Sequence, residues 1–422
     1  MNRGPRGLAV EFLGQVLAGA RRSDALSRDR RFLRLDPRDR RLAMELVQGV
    51  LRLLLRLDRR LAALSNRPLR RLDPDVLGIL RVAVYELEFL RTPARAVVYE
   101  AVGLCRGFGK SSAKSFVNAV LRRFQRNRPV LPEGDSVEAL SIRHSHPEWL
   151  ARRYSLRWGP ERAAALMRRN NERPRPRLWV NPFKVDFEVF QSQLAAEGVP
   201  FRVCFDLPNC LEAPASLARH RFHREGRCFF MDAASQRTVN RVDLAAVRLA
   251  GDFCAAPGGK AFLLASRLAP GAWLCAADSH PGRLSRLRAR ARRCQVPLRL
   301  VQADLTRPGP FRTRFDFVLL DVPCSGLGTL GANPEIRWRA REEDLVRHHR
   351  RQLAILRNGF AALGPRGRLL YSTCSTEPEE NELVLESFLR GEPEAVVLEE
   401  PRRNFPEGAG QCFFSALVGQ RD

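Results

Sequence analysis

Apolar residues recur at helical spacing from Leu42 to about Phe124, with little of the two-residue alternation that marks strands. Leu42, Leu46, Val47, Val50, Leu51 and Leu54 form one stripe, and Val76, Leu77, Leu80, Val84, Leu87 and Leu90 form another. Asp73-Pro74 opens the second as an N-cap followed by a first-turn proline. The pattern predicts an all-α domain over residues 1–130. A break without periodicity, Asn127 to Asp135, contains Pro and Gly and reads as a linker. Past it, a helical stretch runs from Pro147 to about Asn170 and a proline-punctuated segment from Arg173 to Pro182. Residues 177–225 alternate short apolar runs with one helical piece, Phe187 to Glu197, as a small α+β module would. Residues 131–228 are therefore expected to form linker helices and that module.

From about residue 230 the pattern becomes strand, turn, helix, repeated. Strands are expected at Leu249–Cys254, Trp273–Asp278, Leu298–Gln302, Phe315–Asp321, Arg368–Thr373, Glu394–Leu398 and Cys412–Val418. Helices are expected at Lys260–Leu268, Arg283–Arg293 and Glu342–Leu363. Such alternation predicts a doubly wound α/β domain over 229–422, with its site at the carboxyl ends of the strands.

With 422 residues, 45% of them hydrophobic, the chain is too long for one ordinary core. No apolar run is long enough to span a bilayer, and Met1-Asn2-Arg3-Gly4-Pro5-Arg6 opens no signal-peptide stretch, so a cytoplasmic protein is expected. The ten cysteines include no CxxC pair and no flanking set that completes a zinc tetrahedron. Reduced thiols and no metal follow as expectations.

Charge changes the picture more. The net charge of +26 calls for a polyanionic partner, nucleic acid first. Residues 1–130 hold 28 basic against 12 acidic side chains, and 101–130 have no acid while carrying Arg106, Lys110, Lys114, Arg122, Arg123, Arg126 and Arg128. Only four lysines stand against 68 arginines, a ratio that reflects a GC-rich genome but does not explain the excess of base over acid. Against that background Lys260, directly after Pro257-Gly258-Gly259, marks a place where a slim ammonium fits and a planar guanidinium does not.

Lys260 closes the turn Cys254-Ala255-Ala256-Pro257-Gly258-Gly259-Lys260, which follows the first strand of the α/β domain and opens a helix. Backbone N–H groups there suit a carboxylate or phosphate. The dinucleotide fingerprint GxGxxG is absent. Asp278 ends the second strand, where it either accepts from a ribose diol or caps the helix after His280-Pro281. Asp304 follows the third. Two cysteines stand at the ends of the next strands, in Asp321-Val322-Pro323-Cys324 and Thr373-Cys374-Ser375. Two thiols and a carboxylate beside a nucleoside pocket suit methylation of a pyrimidine at C5. That carbon is too weak a nucleophile until a thiolate adds at C6, and a base must later remove the C5 proton so that the thiolate can leave. These residues alone do not rank the two thiols.

The strings Phe253–Lys260, Asp321-Val322-Pro323-Cys324-Ser325-Gly326 and Tyr371-Ser372-Thr373-Cys374-Ser375 resemble the cofactor loop, fourth motif and sixth motif of the small-subunit rRNA methyltransferase B (Sun/RsmB) family of RNA 5-methylcytosine methyltransferases. Asn170-Asn171-Glu172-Arg173-Pro174, Asp232-Ala233-Ala234-Ser235-Gln236 and Asn333-Pro334-Glu335-Ile336-Arg337-Trp338 also match family segments. The resemblance implies a NusB-like helical domain, a small RNA-recognition-like module and a Rossmann-like class I methyltransferase domain. It implies Cys374 as nucleophile, Cys324 as the group that assists product release, and Asp321 as the contact to N3 of the base. S-adenosylmethionine is the implied cofactor, bound by Cys254, Ala255, Ala256, Pro257, Gly258, Gly259, Lys260, Asp278, Asp304 and Asp321, with Arg283 as an addition. The implied substrate is a cytosine in small-subunit (16S) rRNA, and a monomer without membrane partner is expected. A tRNA cytosine and a non-catalytic RNA-binding or ribosome-assembly role remain the competing readings. Three positions depart from the family: Ala261 where Thr is usual, Trp179 where Arg often precedes Val-Asn, and Gln411-Cys412 where Asp-Gly is common. Trp179 is expected to weaken an RNA contact.

Overall fold

The computed structural model describes residues 4–405 and 410–421; Met1, Asn2 and Arg3 of the N-terminal reading lie outside the described residues. The chain forms two compact units, one of residues 1–173 with Leu330–Glu342, the other of 174–329 with 343–422.

The first unit is helical. Its helices include Gly4–Leu17, Pro37–Arg52, Leu54–Leu64, Pro74–Phe89, Ala94–Gly107 and Lys114–Arg126. Leu46, Val47, Val50, Leu51 and Leu54 of the first stripe and Val76, Leu80 and Val84 of the second are buried in a shared core with Phe12, Val97, Val117 and Phe124. Each large aliphatic side chain removed from water contributes about 1.5–3 kcal/mol before the entropy of ordering it is subtracted. Asp36 and Asp73 cap their helices, each accepting two backbone N–H groups ahead of a first-turn proline. Gly49 permits close helix packing, because a Cβ there would stand 2.0 Å from Cζ of Tyr85.

One expected helix differs. The stretch Glu148–Arg169 is broken at Gly159, whose φ of 78° and ψ of 162° are not helical, immediately before Pro160. Proline disfavours helical geometry in the residue before it, and glycine supplies the left-handed alternative.

Residues 330–342 leave the second unit's sequence and complete the first. Arg337, fully buried, donates to the carbonyls of Ser145 (3.0 Å) and Asn170 (3.0 Å) and to Asn171 Oδ1 (2.8 Å). Trp338 Nε1 donates to the Leu51 carbonyl at 2.6 Å, and the Ser23 hydroxyl donates to Glu335 at 2.7 Å. Two segments singled out in the sequence, Asn170–Pro174 and Asn333–Trp338, therefore meet through Arg337 and the two asparagines.

In the second unit, among the described residues, β1 (Arg177–Val180), β2 (Arg202–Val203), β3 (Cys210–Glu212) and β4 (Cys228–Phe230) form an antiparallel sheet ordered β2-β3-β1-β4. Helix Phe187–Ala196 packs on it through Phe190 and Leu194. Trp179 lies on β1 with no exposure, its ring tilted against Phe229 at a centroid distance of 4.8 Å. It is a core residue, so this departure from the family's usual Arg falls inside the sheet's packing.

The larger sheet of the same unit comprises β5 (Leu249–Asp252), β6 (Trp273–Asp278), β7 (Arg299–Gln302), β8 (Phe315–Asp321), β9 (Leu363–Thr373), β10 (Ala395–Arg403) and β11 (Phe414–Gln420). Among the described residues its order is β10-β11-β9-β8-β5-β6-β7. Strands β5 to β9 pair in parallel and β11 runs antiparallel to both neighbours. Order reverses between β5 and β8, the kind of switch point where open α/β sheets bind ligands. Helices Gly259–Ala265, Pro281–Cys294 and Asp344–Phe360 fall close to the expected ones. The last strand starts at Phe414 rather than Cys412; Cys412 N–H instead donates to the Gly328 carbonyl at 2.8 Å.

Candidate active site

The carboxyl ends of β5, β6, β8 and β9 carry the chemistry-bearing side chains. The turn after β5 is tied to its neighbours by backbone bonds, Phe253 N–H to the Leu319 carbonyl (3.1 Å) and Ala255 N–H to the Ala277 carbonyl (2.9 Å). Arg290 donates to the Pro257 carbonyl at 3.1 Å. Gly258 has φ of 106°, and a Cβ there would lie 2.5 Å from Leu287 Cδ1, so both conformation and space require glycine. Lys260 pairs with Asp321 at 2.7 Å and lies 4.9 Å from the ring centroid of Phe413. A guanidinium would have to fit into that half-enclosed gap, which accords with lysine in a chain that otherwise favours arginine.

Four carboxylate or thiol groups meet here. Burial, and then the charges of Asp252, Asp321 and Asp278, push the Cys254 thiol well up. Asp252, 1% exposed, is pushed up to about 7 by burial and by the charge of Asp321. It accepts from Cys254 N–H at 3.3 Å. Asp278 is buried and accepts from His280 N–H at 2.9 Å. The cap of the following helix is His280, not Asp278, since the imidazole Nδ1 accepts from Gly282 N–H.

Strands β8 and β9 pair with Asp321 opposite Ser372, which brings the next few residues of both chains together. The sulfurs of Cys324 and Cys374 lie 3.2 Å apart. That hydrogen bond first, burial second and the charge of Glu380 after them raise the Cys324 thiol well above the usual range. Gly328 N–H donates to the Cys374 carbonyl at 2.9 Å, and a Cβ on Gly328 would strike the carbonyl oxygens of Cys412 (2.3 Å) and Cys374 (2.7 Å).

The structure thus brings together Cys254–Lys260, Asp278, Asp321, Cys324 and Cys374. Asp304 stands exposed after β7, its carboxylate accepting from the Thr306 N–H and hydroxyl, which lower its pKa. Arg283 is exposed on the helix after β6 and its side chain joins none of these groups. Asp252 and Glu380 are the site neighbours that sequence reasoning passed over. Asp252 was signalled by its place at the end of the first strand; Glu380, in a run of three glutamates within five residues, had no signal of its own. Among the described residues no group of His, Cys, Asp and Glu is arranged to hold a metal, and no helix is long and apolar enough to cross a membrane.

Both units also present acid-free basic tracts. Arg106, Arg122 and Arg126 are exposed without an ion pair among the described residues, as are Arg283, Arg286, Arg288, Arg292 and Arg293 on helix Pro281–Cys294. No acid occurs between Asp278 and Asp304.

The sheet order and the cluster at its strand ends define the class: a Rossmann-like methyltransferase. Family models match along the chain: 16S rRNA methyltransferase RsmB/F over residues 247–411, the NusB family over 3–126 and the ferredoxin-like domain of RsmF/B-like methyltransferases over 146–215. The ribosomal RNA small subunit methyltransferase B of Sodalis glossinidius is 32% identical across 86% of this chain and 84% of the relative. That of Vibrio cholerae is 32% identical across 99% and 97%. A crystal structure described as PH0851 shares the fold over 99% of both chains with TM-score 0.81 at 24% identity. A methyltransferase homolog protein from Pyrococcus horikoshii matches 68% of this chain and 100% of that one, with TM-score 0.59 and 25% identity. The chain belongs to the ribosomal RNA small subunit methyltransferase B family, a family of S-adenosylmethionine-dependent RNA methyltransferases.

Proposed function

We propose that this protein methylates C5 of a cytosine in small-subunit (16S) rRNA through a covalent bond between Cys374 and C6. The observation that carries the reading is the pair of thiols, 3.2 Å apart, just past the ends of adjacent strands, the first of which ends in Asp321, ion-paired to Lys260 of the turn after β5.

The residues at the strand ends suit S-adenosylmethionine. Asp278 and Asp304 offer acceptors for ribose or adenine, the carboxylates near Cys254 complement a sulfonium charge, and Cys254–Lys260 present backbone where Gly258 leaves no room for a side chain. Asp321 completes the set, with Arg283 as an outlying addition. When bound, this cofactor supplies an electrophilic methyl group.

The protein's own groups do the rest. The Cys374 sulfur, as thiolate, bonds to C6, and the C5–C6 π electrons move toward C5 while Asp321 holds or protonates N3 as charge gathers there. After C5 has taken the methyl group, Cys324, as thiolate once its own proton has passed to solvent, accepts the C5 proton; the C5–H electrons reform the C5–C6 double bond and the Cys374–C6 bond breaks, with the Cys374 thiolate as leaving group. The shared hydrogen bond treats the two sulfurs alike, and the choice of Cys374 as the attacking thiol rests on the resemblance of Tyr371-Ser372-Thr373-Cys374-Ser375 to the family's sixth motif.

The acid-free tracts fit a polyphosphate partner. A denaturing gel of the Cys324→Ser variant incubated with S-adenosylmethionine and cellular RNA tests the mechanism. A protein–RNA adduct that disappears when Cys374 is also changed to Ser supports it. No adduct, together with no methyl transfer by the wild type, would favour a binding or assembly role.

A further inference from the structure

We infer that Glu380 is a positioning residue that sets the spacing of the two thiols, by holding the residues that follow each of them on a single buried carboxylate. The inference rests on the reading of the two cysteines as nucleophile and release group.

Glu380 has no exposed surface. Its Oε1 accepts from Ser325 N–H at 2.7 Å and from Gln352 Nε2 at 3.1 Å; its Oε2 accepts from the Ser325 hydroxyl at 2.5 Å and from the Ser375 hydroxyl. Ser325 follows Cys324 and Ser375 follows Cys374. The two hydroxyls are themselves 3.2 Å apart, the same separation as the two sulfurs. Gln352 extends the brace, since its Nε2 also donates to the Pro323 carbonyl at 3.0 Å, on the other side of Cys324. The Tyr371 hydroxyl donates to the Glu380 carbonyl at 2.7 Å, and Asn381 Nδ2 donates to the Ser375 carbonyl at 3.1 Å, which fixes the backbone that carries the carboxylate.

A buried carboxylate is costly to desolvate; among the described residues no lysine or arginine pairs with Glu380, and His348, at 3.9 Å, is the one basic side chain within ion-pair distance. Four hydrogen bonds offset that cost, and charge-assisted bonds are shorter and stiffer than neutral ones. The carboxylate is an anchor that accepts from both loops at once.

The test compares the full-length wild type with Glu380→Gln, which is isosteric, and Ser375→Ala, which keeps the carboxylate and three of its four donors. Three quantities are measured. Turnover is followed on a 16S rRNA transcript with S-adenosylmethionine. Thermal midpoint is followed in parallel. The third is the rate at which diamide joins Cys324 to Cys374, read by mass spectrometry of the linked peptide; two thiol protons and two electrons pass to the reagent's N=N bond as the S–S bond forms.

Glu380→Gln is expected to lower kcat roughly 10- to 100-fold with KM for RNA and cofactor within about twofold, and to slow the joining of the thiols. Ser375→Ala is expected to slow joining in the same sense by a smaller factor, and it carries the test if the glutamine variant does not fold. Joining at the wild-type rate in both variants overturns the inference, as does a loss of kcat that tracks lost cofactor affinity and a lowered midpoint. Slower joining in a protein whose wild type transfers no methyl group would uphold the positioning role and refute the proposed reaction.

Discussion

The sulfurs of Cys324 and Cys374 lie 3.2 Å apart although fifty residues separate them, Cys324 three residues past the end of β8 and Cys374 directly after β9. Parallel pairing of the two strands is what makes the thiols neighbours.

Cys374→Ala should abolish methyl transfer while leaving S-adenosylmethionine binding within about twofold, because the proposed role of the thiol is on the base and not on the cofactor. Equilibrium dialysis with labelled cofactor and a filter assay on 16S rRNA measure the two quantities. Turnover by this variant would move the nucleophile elsewhere.

Asp252 makes stability depend on pH. Its folded pKa of about 7 lies above the value of 3.8 for an unperturbed Asp, so the folded state binds the proton more tightly. The contribution is fully present below the unfolded value and is lost as pH rises through the folded one. Asp252→Asn removes that loss. Its advantage over wild type should grow between pH 4 and 7, reach at most roughly 4 kcal/mol, and stay level at higher pH. Urea unfolding at several pH values measures it, and an advantage that shrinks as pH rises contradicts the assignment.

Gly328→Ala should damage both stability and turnover. The added carbon would meet backbone oxygens of Cys412 and Cys374, and neither can rotate away as a side-chain tip would. A loss of about 1–3 kcal/mol is expected, with a larger fall in kcat than in cofactor affinity because the displaced chain carries Cys374, the proposed nucleophile. Normal turnover would show that the thiol site tolerates movement of that loop.

Replacing Arg286, Arg288 and Arg292 with Gln should weaken RNA binding and flatten its salt dependence. Each lost phosphate contact lowers the slope of log K against log salt by about 0.7–0.9. Filter binding at several salt concentrations reads the slope. An unchanged slope would make the acid-free helix a bystander.

The strand order around the site was largely legible because each buried parallel strand is a short apolar run ending in an acid or a turn. Asp278, Asp321, Cys324 and Cys374 were found that way, from the position of each at a strand end. Long-range interactions were not legible. Nothing local says that Glu380 reaches back to Ser325, or that Cys412 leaves its expected strand to meet Gly328, because both depend on strands distant in sequence being neighbours in the sheet. The burial of Trp179 was not legible for a related reason: a four-residue strand shows too little alternation to tell its buried face from its open one. The break at Gly159-Pro160 was visible as a dipeptide but was outweighed by apolar periodicity on either side.

Residues 330–342 belong to the helical unit, yet the ribosome reaches them only after making 174–329. At elongation rates of about 5–20 residues per second, that delay is on the order of 10 to 30 s. Throughout it, Leu51, Ser145 and Asn170 are without the Arg337 and Trp338 donors that later satisfy their carbonyls. The helical unit is begun first, yet it cannot close until the small sheet and strands β5 to β8 of the larger one have left the ribosome.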